Sequence, residues 1–510
     1  MIEEGFGEYQ WIVIVAFVVA FLLAISVGAN DVANPFGTSV GSGALTLLQC
    51  FVLATLMETL GALTMGGAVS DTIRKKIVNI DSYNETDTTD IKKFLIGQLS
   101  AMFGAAVWQI VASVLKMPVS GTHSIVGAVV GFAIISKGVS AVQWMTIAKI
   151  VISWFASPVL SGVLAIALYT LVSKSILKAE NRVSRACTFL PIFYSGVVGF
   201  NCYSITRTMN KIFKWSGSCS SRNETQVGEA NTDSSSFCFE EWHFITIALV
   251  VMALVYVVIR MLYIPRILRK ISALSKNICP SPTPFQKMVA KLEKKLGLTL
   301  ESDIKGDLVE PEKILLEEKN FINAENDTKM DGSETPEMQI CFKELQAFSA
   351  CFDAYAHGGN DVGNSIGPVM AVWAVIQTCT TLAGCNIDQT EPPQLWIILF
   401  GCSGIVLGLW TLGKRVIQTV GKDIASITPA RGFSIDIMAG FTVLFGSMLQ
   451  IPLSTTHCKV GAVVAVSLVH DRANVSCATF KKIAMAWFVT LPVSGVISAL
   501  SYHLICLWVL

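Results

Sequence analysis

The sequence predicts an all-α polytopic membrane protein, built from two inverted-topology repeats with broken helices and re-entrant hairpins. Three observations predict this fold. The mean hydropathy of the 510 residues is +0.58, and only 15% of them are charged. Windows of about 20 apolar residues, the length that crosses a bilayer as a helix, recur along the chain. Two kinds of motif also occur once in each half, in the same order.

The predicted membrane segments each correspond to an apolar window. The clearest windows are 11–27, 51–68, 94–115, 147–171, 244–262, 395–412 and 483–507, and a further helix is expected near 187–206. Residues 265–342 differ, because they are rich in Lys, Glu, Asp, Asn, Pro and Ser. That composition predicts a largely disordered loop. We therefore expect a first repeat with connecting helices over 1–264, a loop over 265–342 and a second repeat over 343–510.

An aspartate lies inside an apolar segment in each half of the chain. Asp31 follows Asn30 within 28–35, and Asp361 follows Asn360 within 359–364. An ionised carboxylate in hydrocarbon must find a partner or become neutral. The flanking glycines weaken a helix, and the asparagines add amides that coordinate or donate hydrogen bonds. The sequence therefore predicts a helix break at each motif and a paired site.

A Pro-x-Ser-x-Thr-His turn also occurs twice, at 118–123 and at 452–457. The turns are 334 positions apart, and the Asn-Asp motifs are 330 positions apart. Proline ends one half-helix, and a following hydroxyl caps the next, so each turn predicts a re-entrant hairpin. His123 and His457 are expected to form structural hydrogen bonds. A third matched pair, Trp154 and Trp487, is expected to contribute packing.

Loop composition predicts how the chain is oriented. The loops around Asn84 and Asn223 carry N-glycosylation sequons and are expected outside. The basic entry of the 265–342 loop is expected in the cytoplasm. Counting segments from these points brings the chain to one Asn-Asp motif from outside and to the other from inside. The repeats are therefore expected to be inverted, with both termini extracellular.

These motifs together favour a carrier. Broken helices in inverted repeats form midplane sites in secondary transporters, and half-helix N-termini bind anions. The turns supply hydroxyls and amides that suit a small oxyanion, from Ser120, Thr122, Ser454, Thr455 and Thr456. The aspartates would repel such an anion unless cations lie beside them or the oxyanion is itself protonated. Sodium suits carboxylate, amide and hydroxyl oxygens, so the residues predict an anion–cation symporter.

At these residues the chain resembles the PiT family of inorganic phosphate transporters. The paired Gly-x-Asn-Asp-Val-x-Asn-like motifs and the Pro-x-Ser-x-Thr-His turns carry the resemblance, which covers both halves. It implies about 12 membrane segments, sodium-driven uptake of monovalent phosphate at the plasma membrane, and a homodimer in the lipid bilayer. Neither an organic cofactor nor a nucleic acid partner is implied.

The resemblance also implies which residues bind the ions. The phosphate ligands carried over by motif position are Asp31, Asn34, Ser120, Thr122, Asp361, Asn364, Ser454 and Thr455. The sodium ligands carried over are Asn30, Asp31, Asn360, Asp361, Glu58, Gln98 and Asp436. Glu58 and His357 occupy family positions tied to transport. Gln98 and Asp436 replace glutamates that are usual in the animal branch of the family.

Several alternatives remain open on the sequence. Paired intramembrane aspartates also occur in aspartyl proteases, but the Tyr-Asp and Gly-x-Gly-Asp settings of those enzymes are absent. Inverted half-helices can line a channel. The same fold could carry sulfate or arsenate, or couple phosphate to protons. Disulfides between Cys219 and Cys238, or between Cys379 and Cys385, also stay open.

Overall fold

The computed structural model describes residues 10–84, 87–213, 241–278, 334–381, 394–418, 424–449, 451–470 and 475–510. Across these ranges the regular secondary structure is helical, apart from one antiparallel β-bridge between Val78 and Val142. The all-α class predicted from the sequence is confirmed. The Asn223 sequon, three of the four cysteines named above (Cys219, Cys238 and Cys385) and residues 279–333 lie outside the described residues.

The α-helices follow one another in a simple order. In the first half they are α1 Gln10–Asn30, α2 Ala33–Gly41, α3 Leu47–Lys75, α4 Thr88–Val114, α5 Gly121–Lys137, α6 Trp144–Val172, α7 Arg182–Phe213, α8 Glu241–Val258 and α9 Ile264–Ile278. In the second half they are α10 Pro336–Thr381, α11 Leu395–Gly408, α12 Lys414–Gln418, α13 Pro429–Met448, α14 Thr455–His470 and α15 Cys477–Val509. Both ends of the predicted 265–342 loop are therefore helical.

Eight helices in the described ranges are long and apolar enough to cross a membrane. Two shorter apolar helices, Gly121–Lys137 and Thr455–Val469, follow the two Pro-x-Ser-x-Thr-His turns. Many outward-facing side chains, such as Phe155, Val159 and Leu504, are large, apolar and exposed, as lipid-facing residues are. The expected total of about 12 segments stays a prediction.

The chain divides into two compact units. The first comprises Met1–Leu168, Ser204–Phe239 and Ala347–Leu510. In it α15 packs against α4 and α5, and α1 packs against α4 and α11. The residues of both Asn-Asp motifs and both turns belong to this unit, so its packing positions the candidate site.

The second unit comprises Tyr169–Tyr203 and Glu240–Gln346. The Tyr194 hydroxyl donates to the Tyr263 hydroxyl at 3.0 Å. The Arg260 guanidinium donates to the carbonyl of Cys187 at 3.1 Å. Lys270 forms an ion pair with Glu344. These polar contacts join its helices within an otherwise apolar packing.

The two Asn-Asp motifs differ in backbone structure. At the first motif α1 ends at Asn30 and α2 begins at Ala33, so the predicted break is confirmed. At the second motif the prediction is wrong, because α10 runs without interruption from Pro336 to Thr381. A Cβ at Gly358 would collide with the backbone of Glu58, and one at Gly61 with the carbonyl of Tyr355. These glycines thus allow α3 and α10 to touch closely and do not interrupt the helix.

Candidate functional site

The two turns begin helices in the same way. Ser120 precedes α5, and its hydroxyl accepts a hydrogen bond from the His123 amide at 3.3 Å. Ser454 precedes α14, and its hydroxyl accepts one from the His457 amide at 3.2 Å. Each serine satisfies one of the amides that a helix N-terminus leaves without a partner. The predicted capping by a hydroxyl of the turn is confirmed, and the capping residue is Ser120 in the first turn and Ser454 in the second.

The turns also contact each other through reciprocal hydrogen bonds. The Thr122 hydroxyl donates to the carbonyl of Leu453 at 3.1 Å. The Thr456 hydroxyl donates to the carbonyl of Val119 at 3.0 Å. Thr122 and Thr456 hold matching places in the two turns, as do Val119 and Leu453. The starts of α5 and α14 therefore meet inside the first unit, where both carry the partial positive charge of a helix N-terminus.

Two asparagines each donate a hydrogen bond to a threonine in the other half of the chain. Asn34 Nδ2 donates to Thr456 Oγ1 at 2.9 Å, and Asn364 Nδ2 donates to Thr122 Oγ1 at 3.0 Å. Each asparagine thus contacts the turn of the opposite half. The side-chain oxygens of Asn34 and Asn364 are buried and have no hydrogen-bond partner within the described ranges. Oxygens in that state are available to a cation.

Each aspartate is tied to one of the helix starts. Asp31 Oδ2 accepts a hydrogen bond from the Gly121 amide at 3.0 Å. Asp361 Oδ2 accepts one from Thr455 Oγ1 at 2.8 Å, and its Oδ1 accepts from Asn360 and Asn364 at 2.9 and 2.8 Å. Both carboxylates are buried, so these donors replace the water that the charge has lost.

The first asparagine of each motif makes different contacts in the two halves. Asn30 Oδ1 accepts from the Val119 amide at 2.9 Å, while its Nδ2 donates to Ser113 Oγ at 3.1 Å and to the carbonyl of Met117 at 3.0 Å. Asn30 therefore holds the first turn in place with its whole amide. Asn360 differs, because its Oδ1 is buried without a partner in the described structure, as is Asp31 Oδ1.

A histidine connects two acids on neighbouring helices. His357 Nδ1 lies 3.2 Å from Glu58 Oε1, and His357 Nε2 lies 2.7 Å from Asp361 Oδ2. Glu58 comes from α3, and the other two residues are one turn apart on α10. The close contact at Gly61 and Gly358 brings these helices together. Glu58 and His357, which the resemblance ties to transport, are thus joined to the Asp361 carboxylate.

Gln98 and Asp436 lie apart from this constellation. Gln98 is buried in α4, and within the described ranges it forms no hydrogen bond with the two Asn-Asp motifs or the turns. Asp436 Oδ1 lies 2.6 Å from the ammonium of Lys459 and accepts a hydrogen bond from Thr38 at 2.5 Å. Lys459 is not among the site residues predicted from the sequence. Its only signal there is a single charge among the apolar residues of α14.

The paired histidines and tryptophans pack against one another beside the turns. His457 Nδ1 is 2.9 Å from the carbonyl of Trp154, so the expected structural hydrogen bond is confirmed for this residue. For His123 the expectation is wrong, since neither ring nitrogen has a partner in the described part of the chain. The His123 ring instead lies 3.6 Å from Trp154 and 4.4 Å from His457, measured between centroids, and His457 lies 3.8 Å from Trp487. The tryptophans pack as predicted.

Together, two helix starts and two carboxylates form one buried polar cluster in an apolar unit. Helix N-termini and hydroxyls attract a small oxyanion. The orphan oxygens of Asp31, Asn34, Asn360 and Asn364 attract a hard cation. In the described ranges no three His, Cys, Asp or Glu side chains are grouped so that they could hold one metal ion.

Comparison with known proteins agrees with this chemistry. The model of the phosphate transporter family matches residues 27–498. The chain belongs to the phosphate transporter family. Sodium-dependent phosphate transporter 1 of Rattus norvegicus is 31% identical over 96% of this chain and 94% of its own length. Sodium-dependent phosphate transporter 2 of Bos taurus is 32% identical over 96% of this chain and 97% of its own length.

A solved structure titled "The sodium-dependent phosphate transporter" is similar throughout. It has a TM-score of 0.71 and 28% identity, and the match covers 97% of this chain and 99% of that one. As a phosphate transporter family member, the chain is a membrane transporter and not an enzyme. The resemblance drawn from the motifs is confirmed, and the aspartyl protease alternative is set aside.

Proposed function

We propose that this chain is a sodium-coupled symporter that brings inorganic phosphate into the cell by alternating access. The observation that carries the proposal is the meeting of the α5 and α14 starts beside two buried carboxylates, Asp31 and Asp361. A site with positive helix ends and negative side chains suits an anion and cations together. Neither ion alone would balance both kinds of charge.

We propose that phosphate lies between the two turns. Its ligands are Asp31, Asn34, Ser120, Thr122, Asp361, Asn364, Ser454 and Thr455. The helix starts of α5 and α14 supply N–H donors to the phosphate oxygens. Monovalent phosphate keeps two protons, so it can donate a hydrogen bond to an aspartate that would repel a fully ionised anion. That match favours the monovalent form of the ion.

We propose that sodium binds beside the phosphate at the two Asn-Asp motifs. The orphan oxygens of Asp31 and Asn360 support this role most directly. Asp361 and Glu58 add negative charge and are joined through His357. Asn30 and Gln98 remain candidates from motif position, although the Asn30 amide already binds the first turn. If two sodium ions accompany one monovalent phosphate, the membrane potential assists uptake by about 2.3 kcal/mol per charge per 100 mV.

We also propose a plasma membrane location, with both termini outside and the loop between α9 and α10 in the cytoplasm. In this arrangement the two repeats are inverted, and the protein forms a homodimer. Glycosylation at Asn84 and Asn223 follows from the same orientation. Removal of each acceptor by substitution with glutamine should abolish one glycosidase-sensitive mass shift, and an unchanged mass in both variants would argue against the orientation.

Radiolabelled phosphate uptake tests the function. Cells that express the chain should take up phosphate in sodium medium and lose most of that uptake in choline medium at the same pH. Saturation with phosphate concentration would distinguish a carrier from a channel. Competition by excess sulfate or arsenate would reveal a broader oxyanion specificity. Equal uptake in sodium and choline, driven instead by an inward proton gradient, would replace sodium with protons in the mechanism.

A further inference from the structure

A buried ionic cluster lies outside the candidate phosphate site. The Lys459 ammonium is 2.5 Å from Asp353 Oδ2 and 2.6 Å from Asp436 Oδ1. Thr38 donates a hydrogen bond to Asp436 Oδ1 at 2.5 Å, and Ser349 donates to its Oδ2 at 3.5 Å. All five residues are buried, and Lys459 is only 1% exposed. We call these five residues the Lys459 cluster.

The Lys459 cluster offers the oxygen set of a sodium site. Two carboxylates and two hydroxyls converge on one region, and hard cations prefer such oxygens. Two ionised carboxylates this close in an apolar interior need a positive charge between them. The Lys459 ammonium already supplies it, because it contacts an oxygen of each acid. A covalently attached cation thus occupies the position that a free cation would take.

The three ionic residues of the Lys459 cluster are not repeated in the first half of the chain. With the offsets of the two repeated motifs, its three ionic residues correspond to Leu23, Met102 and Ile125 in the first half. These counterparts are apolar, so the charges belong to one half only. Within the described ranges the three ionic residues also form no hydrogen bond or ion pair with Asp31 or Asp361. The cluster therefore adjoins the duplicated site without being a copy of any part of it. Asp353 lies one turn before His357 on α10, and its charge interacts with those of His357 and Glu58.

We propose that Lys459 is a built-in cation that fills the space between Asp353 and Asp436, so that Asp436 binds no sodium during transport. The lysine takes the place of a further coupled ion and limits the number of sodium ions that move with each phosphate. This inference rests on sodium-coupled phosphate transport. It removes Asp436 from the sodium ligands and makes Lys459 a residue that sets the coupling ratio.

The first test uses Asp436→Asn in purified protein reconstituted into liposomes. Uptake of labelled sodium and labelled phosphate is measured together, and the sodium concentration is varied. Since Asp353 still pairs with Lys459, the sodium-to-phosphate ratio should stay unchanged and the half-saturating sodium concentration should move by less than about twofold. Loss of one sodium per phosphate, or a rise of about tenfold in that concentration, would show Asp436 to be a sodium ligand.

The second test removes the built-in cation with Lys459→Met. Two carboxylates then lack their partner, so the purified variant should bind one more sodium ion than the wild type, and its sodium activation should be steeper. The double variant Lys459→Met with Asp436→Asn keeps the formal charge of the cluster and should return to the wild-type number. An unchanged number in folded Lys459→Met would overturn the proposal. Sodium-independent uptake by the wild type would instead refute the proposed function itself.

Discussion

Substitution of Asp361 by asparagine is the sharpest test of the candidate site. The carboxylate accepts hydrogen bonds from Asn360 at 2.9 Å and from Asn364 and Thr455 at 2.8 Å each, and its Oδ2 also lies 2.7 Å from His357 Nε2. Asparagine has nearly the same shape but only one acceptor oxygen, so its NH₂ group must face at least one of these donors. Asp361 is also a proposed ligand of the ions, and a hydrogen bond to a charged group contributes about 1.5–3 kcal/mol. Loss of one such bond to a ligand therefore lowers its affinity by roughly 10- to 150-fold.

We expect phosphate uptake by Asp361→Asn to fall at least tenfold at a fixed sodium concentration, which is the lower end of that range of affinity loss. The assay is initial-rate uptake of labelled phosphate over a range of sodium concentrations, normalised to the amount of protein at the cell surface. The matched control is Asp81→Asn, which makes the same chemical change at an exposed aspartate and should leave uptake unaltered. Wild-type uptake and sodium dependence in Asp361→Asn would refute the site.

Three further predictions concern the residues around the site. Thr456→Val removes the hydroxyl that donates to the buried carbonyl of Val119 and should cost about 1–3 kcal/mol of stability. Thr122→Val should cost less, because Asn360 Nδ2 still donates to the carbonyl of Leu453 at 3.0 Å. Thermal unfolding of the detergent-solubilised protein measures both losses, and unchanged stability in Thr456→Val would contradict the prediction. Gly358→Ala should sharply reduce the yield of monodisperse protein, whereas Gly196→Ala, where a Cβ meets open space, should not. Deletion of most of 280–335 should leave uptake near normal, and loss of all uptake in a well-expressed deletion would show that this stretch belongs to the transport core.

The sequence could predict which residues come together because the motifs are duplicated. A single hydroxyl-rich turn has many explanations, but two turns at the same offset as two Asn-Asp motifs predict a paired site. The structure joins Thr122 to Leu453 and Thr456 to Val119, which are contacts between the two copies. The pairing follows from the repeat, while the individual donors and acceptors depend on three-dimensional packing.

The backbone at the second Asn-Asp motif could not be predicted from local composition. Glycines weaken an isolated helix, yet in α10 they allow the backbone of a neighbouring helix to approach Gly358. Tertiary packing therefore outweighs the local preference. The first motif differs because Asp31 and Val32 separate two helices, and Asp31 Oδ2 binds the start of a third.

Lys459 was missed because its partners are distant in sequence. Asp436 precedes it by 23 positions, and Asp353 lies on another helix still further away. From the sequence alone, a lysine in an apolar helix could face lipid headgroups, water or a buried acid. Only the packing of α10, α13 and α14 shows that it meets two acids.

The hydrogen bonds between the two turns make each half of the chain depend on the other. At each helix start, a threonine hydroxyl donates to a carbonyl that the other copy supplies. A fragment that ends before α10 would therefore have unsatisfied groups at its centre, and so would the complementary fragment. Neither fragment alone should transport phosphate, but co-expression of the two should restore activity. Over evolution, a mutation in one copy should constrain which substitutions the other copy tolerates.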